Sequence, residues 1–90
     1  MAYQQIAGGY ANITATAQVS NRAVTLLTIN CASTSSGTYQ VYDSATGATT
    51  TPVTGVVTPA AGSSMVYNAT VGSGLYIVIT GTLNLTVVFA

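Results

Sequence analysis

Apolar and β-branched residues are densest from Leu75 to Phe89, and Val, Ile, Tyr, Phe and Thr are the side chains that suit a pleated, half-buried surface. This stretch is the expected centre of the fold. Thr80-Gly81-Thr82 interrupts it and predicts a tight turn between two antiparallel strands. In the second strand Leu83, Leu85 and Val87 fall on one face and Asn84, Thr86 and Val88 on the other. The first, Leu75 to Ile79, is apolar on both faces, as a covered central strand would be.

The same two-residue period marks the rest of the chain. From Asn12 to Val19 it places Ile13, Ala15, Ala17 and Val19 inward on one strand, and Ser20-Asn21-Arg22 then turns the chain. Ala23 to Cys31 predicts a second strand, Ser33 to Gly37 a small polar loop, and Thr38 to Asp43 a third strand with Tyr39 and Val41 sharing a face. Asp43 to Gly47 has turn chemistry: the carboxylate can accept a backbone N–H two residues on, and Gly47 can take a positive φ. Pro52 has no N–H to donate, so the stretch from Ala48 to Val57 predicts an edge or irregular strand. After a turn at Pro59 to Ser63, Ser64 to Thr70 alternates again with Met65, Tyr67 and Ala69 on one face. About seven or eight short strands with turns between them, and no helical period, describe an all-β chain folded as a compact antiparallel β-sandwich, jelly-roll or immunoglobulin-like. Residues 1–10 are expected to form a flexible N-terminal arm and 11–90 the sandwich domain.

Charge changes the picture most. Arg22 and Asp43 are the only ionised side chains among 90 residues, against about 25% charged residues in ordinary globular chains. With 49% apolar residues the chain does not have the composition of a disordered one. A net charge near zero removes the repulsion that keeps soluble proteins apart, and so small a domain buries only about 60–65% of its unfolded surface. Both point to a chain that sits against something, with a homo-oligomer expected and a trimer favoured. Its contacts should be apolar and main-chain in character.

The same scarcity excludes most chemistry. There is no histidine, one carboxylate and one thiol, so a Ser-His-Asp triad, a two-carboxylate glycosidase site and a zinc site each lack a required part. No catalytic, cofactor-binding or metal-binding residue is expected, and no enzyme activity. Gly72-Ser73-Gly74 leads into a strand and has no lysine, unlike a phosphate-binding loop. One arginine cannot neutralise the several phosphates on which nucleic-acid affinity rests. No run approaches the roughly 20 apolar residues of a spanning helix, so neither nucleic acid nor membrane is an expected partner. Cys31 has no second cysteine to pair with and reads as a small core residue. The interface candidates are Tyr3, Ile6, Tyr10 and Phe89 near the ends of the chain, with Tyr42 and Tyr67 among the remaining tyrosines.

Three segments, Gly37-Thr-Tyr-Gln-Val-Tyr-Asp43-Ser-Ala-Thr-Gly47, Gly74-Leu-Tyr-Ile-Val-Ile-Thr-Gly81 and Leu85-Thr-Val-Val-Phe89, resemble in that order the small all-β structural proteins of tailed bacteriophages. The resemblance covers roughly Leu26 to Phe89 and implies a virion component, with a capsid cement or decoration protein on the outer surface as its leading form. It implies the major capsid protein as partner and synthesis in the host cytoplasm. The near absence of charge departs from many such proteins. A carbohydrate-binding or adhesive module using exposed tyrosines is the alternative.

Overall fold

The computed structural model describes residues 9–90. Five strands occur among them: β1 (Gly9–Ile13), β2 (Ala17–Ser20), β3 (Val24–Asp43), β4 (Ser64–Val71) and β5 (Leu75–Phe89). They form one antiparallel sheet in the order β1-β5-β3-β4, with β2 also pairing β5. The all-β, antiparallel expectation therefore holds, but the predicted seven or eight short strands become five. Two of those five are long.

The predicted hairpin at Thr80-Gly81-Thr82 is the largest departure. β5 runs straight through it for 15 residues, and its partner is β3, paired from Leu26↔Phe89 to Asp43↔Leu75. The predicted polar loop at Ser33 to Gly37 likewise lies inside β3, which is continuous over 20 residues. Gly81 does adopt the positive φ of a turn residue, +83°, and Ser36 opposite has φ 56°. There these angles serve a bulge, where Ser35 and Ser36 both face Thr82. A Cβ on Gly81 would lie 2.7 Å from the Ser36 carbonyl oxygen, and one on Gly37 would lie 2.5 Å from the Thr82 carbonyl oxygen and from Leu83 Cγ. The glycines thus permit a close backbone approach between two strands instead of reversing one of them.

Bulges bend this ladder. β3 carries three of them against β5, between Leu26 and Thr28, Cys31 and Ser33, and Ser35 and Ser36, so it covers the shared length with three more residues than β5. On the other side of β5, the chain from Gly9 to Ser20 covers the same length, Phe89 back to Leu75, with three fewer. A sheet whose strands lengthen steadily from one side to the other must curve, and bulges supply the bend and extra twist. The short inner path is also why the single predicted strand from Asn12 to Val19 is split at Thr14–Thr16, leaving Ala15 exposed and not inward. Where β1 and β2 leave β5 unpaired, the Thr16 hydroxyl accepts from Ile79 N–H at 2.9 Å and lies 3.3 Å from the Ile79 carbonyl oxygen, to which it donates. Gly9 and Tyr10, expected in the N-terminal arm, belong to β1.

One face of the curved sheet is the core. It holds Leu26, Ile29, Cys31, Tyr39 and Val41 from β3, Leu75, Ile77, Leu83, Leu85 and Val87 from β5, and Ile13 and Val71 from β1 and β4. Burying an aliphatic side chain is worth about 1.5–3 kcal/mol, so this face outweighs any single hydrogen bond. The segment from Ser44 to Ser63 crosses over and adds Val53 and Val57 to the cluster. It follows β3 through backbone bonds such as Val53 N–H to the Val41 carbonyl and a reciprocal pair between Tyr39 and Val57. Pro52 stands opposite Tyr42 in an isolated bridge, the irregular edge position that its missing N–H predicts.

Asp43 plays a different part from the one expected. The N–H groups of Thr46 and Ala48 are taken by the Ser44 hydroxyl, at 3.1 and 2.9 Å. The Asp43 carboxylate reaches across the sheet and accepts from Gly72, Ser73 and Gly74 N–H at 3.0, 2.8 and 3.3 Å. The Gly-Ser-Gly loop is thus an anion-binding nest filled by the chain's own carboxylate. Those bonds, Gly72's first, hold the Asp43 carboxyl below its ordinary value.

Candidate assembly surface

The candidate surface lies on the outer face and along the sheet's two sides. Alternation turns Tyr10 and Asn12 of β1 and Thr86 and Val88 of β5 outward, away from Ile13, Leu85 and Val87. Following the register across the strands, Tyr10 pairs Val88, Val88 pairs Thr28, and Thr28 pairs Val66. The ends of this row are the most exposed, Tyr10 at 78% and Val66 at 66%. Beside its start lies an open groove of about 440 Å³ lined by Tyr10, Leu27, Thr86, Val88 and Phe89 together with backbone at the two ends of the described chain. Leu27 points outward because it is the extra residue of the first β3 bulge.

Of the interface candidates, Tyr3 and Ile6 lie outside the described residues. Tyr10 and Phe89 are brought together at the groove, Tyr10 exposed and Phe89 half-buried against the core. Tyr42 is elsewhere and partly buried: its hydroxyl donates to Gln40 Oε1 at 2.7 Å and its ring lies tilted 6.3 Å from that of Tyr76. Tyr67 also turns away from the surface row. Its hydroxyl meets that of Tyr39 at 2.7 Å, and burial together with this bond pushes the Tyr39 phenol well above its ordinary value. Tyr42 and Tyr67 are therefore packing and hydrogen-bonding residues within the chain, their polar ends already satisfied. Cys31 is buried as expected, with its thiol 3.4 Å from the Ser33 carbonyl oxygen.

Val66, Val56 and Met65 are exposed residues that sequence reasoning did not single out, at 66%, 67% and 46%. Val66 lies on the face opposite to the one shared by Met65 and Tyr67, and the alternation by itself does not tell which of the two faces is outward. Met65 keeps the inward register opposite Ile29, but there it edges a cavity of about 220 Å³ lined by Ile29, Cys31, Tyr39, Val57 and Pro59 among others.

Both sides of the sheet are open among the described residues, with β1 paired only to β5 and β4 only to β3. Neither strand contains a charged residue or a proline. Natural sheets blunt their edges with such residues, and an edge without them is a template for another strand. Asn68, with φ 50°, makes the one irregularity in β4, at the register shift opposite Leu26 and Thr28. Compared with known proteins, the chain matches no family model, no curated protein and no solved structure.

Proposed function

We propose that this chain is a structural component of a virion, a capsid cement protein that binds the outside of the major capsid lattice and holds its subunits together. The observation that carries this reading is the pair of uncharged edges, open among the described residues, joined by an outer row of Tyr10, Val88, Thr28 and Val66. An open edge binds by main-chain hydrogen bonds, and many weak identical contacts on one shell add through multivalency. The bent ladder serves in this reading as the two layers of a sandwich. The support is the Tyr39–Tyr67 hydroxyl contact, which ties the far half of β3 to the strand paired with its near half. The protein carries no catalytic task and works as a homo-oligomer, a trimer favoured.

Salt provides the test. With Arg22 and Asp43 the only ionised side chains, there is almost nothing for ions to screen, even at about 1 M where the screening length falls to about 3 Å. Purified particles sedimented in low salt and in about 1 M sodium chloride should retain this protein equally, in numbers comparable to the major capsid protein. Absence from particles, or release by salt, would overturn the proposal.

A further inference from the structure

Neighbouring strands along β1-β5-β3-β4 are antiparallel at every step, so β1 and β4, at opposite sides, run in opposite directions. A second copy laid alongside with its β1 against β4 would continue the antiparallel alternation and keep the outer face outer. The outer row leads straight to this seam, because it begins at Tyr10 and ends at Val66, both largely exposed.

We propose that copies of this chain associate head to tail, the β1 edge of one adding to the β4 edge of the next. The inference rests on the reading of the chain as an assembly protein and names its contact. Ser64–Tyr67, the part of β4 before the Asn68 irregularity, is the straight stretch available. Seating β1 on it sets Gly9 opposite Tyr67, Tyr10 opposite Val66, Ala11 opposite Met65 and Asn12 opposite Ser64. The exposed apolar residues of the two edges, Tyr10, Val66 and Met65, then have a cover. Tyr10 packs on Val66 as an aromatic and β-branched cross-strand pair, and Ala11 lies over Met65, otherwise 46% exposed at the cavity mouth. The partner is a second copy because both edges lack charge and each lacks what the other supplies. Joining β4 to β4 about a two-fold would leave β1 open and Tyr10 uncovered. A heterologous contact of this kind closes into a ring when the rotation per copy allows, and the curvature of the sheet supplies a rotation.

The test uses two full-length variants, Tyr10→Cys and Val66→Cys, with Cys31 left in its buried position. Each is oxidised alone and as an equal mixture, and the disulfides are assigned by mass mapping. Directly opposed residues on neighbouring strands are close enough to bridge. The expected product of the mixture is a disulfide between position 10 of one chain and position 66 of another, in preference to 10–10 or 66–66 links. In parallel, Tyr10→Lys and Val66→Lys should each convert the oligomer to monomer in sedimentation while circular dichroism stays unchanged. Predominant 66–66 or 10–10 links, an oligomer that survives both lysine variants, or a chain monomeric at every concentration would overturn the inference. Particle retention, measured separately, decides the cement reading: retained protein with the wrong cross-links sinks only the head-to-tail contact.

Discussion

β3 and β5 form one ladder and meet the same core, yet they present it differently. In β5 each odd-numbered position from Leu75 to Phe89 faces inward, and apart from Gly81 each is buried or half-buried. In β3 the inward positions are Leu26, Ile29, Cys31, Thr34, Gly37, Tyr39, Val41 and Asp43, with a step of two where the ladder is regular and of three at each bulge. A regular strand can be read from its own alternation. A bulged one can be read only against its partner, because a bulge shifts inside and outside by one residue.

The widest test of this contrast is side-chain truncation in β5. Leu85→Ala, at a position with no exposure, should cost about 2–5 kcal/mol of unfolding free energy in urea titrations. Thr82→Ala, at an exposed outward position, should stay within about 0.5 kcal/mol. Comparable losses at both would break the picture of a one-sided core.

The close approach of the two strands comes next. Gly37→Ala should cost about 1–3 kcal/mol or more, as overpacking does, because its new Cβ would meet Leu83 and the Thr82 carbonyl. Gly81→Ala should lose about 1–2 kcal/mol to its left-handed backbone alone. Gly55→Ala, with nothing within 4 Å of the added carbon, is the control and should be near neutral. A hairpin at Gly81 would instead leave Gly37→Ala harmless.

The smallest effect concerns the end of β3. The Asp43 carboxyl is held below its ordinary value of 3.8 by the N–H groups of Gly72, Ser73 and Gly74. Its contribution is therefore fully present above that value and is lost as pH falls below it through the folded-state value. Thermal melts between about pH 5 and pH 2 should show a fall in Tm for the native chain. Asp43→Asn should be less stable at neutral pH and should lack that acid-dependent fall. An unchanged acid profile in Asp43→Asn would mean that the loop between β4 and β5 is held by something else.

Only part of the candidate surface was legible in the sequence. Tyr10 and Phe89 were singled out from the sequence and do meet at the groove. Tyr42 and Tyr67 could not be separated from them, because tyrosine suits an interface and a satisfied interior equally well. Only the partners of their hydroxyls, Gln40 and Tyr39, place them within the chain's own packing. Val66 required knowledge that β4 lies at the side of the sheet, which is a property of strand order.

What the sequence determined by itself is local. Alternation at Leu83, Leu85 and Val87, at Tyr39 and Val41, and from Ser64 onward, with positive φ at Gly47, follows from a two-residue period and from backbone sterics, which need no partner. The near absence of charge also belongs to the sequence. Tertiary structure decided which strands are continuous, where Asp43 reaches and which edges stay open among the described residues. The reason is that a positive-φ glycine between threonines serves a turn or a bulge in a continuous ladder equally well. The choice at Gly81 is made by β3, whose Ser36 and Gly37 approach it across the sheet.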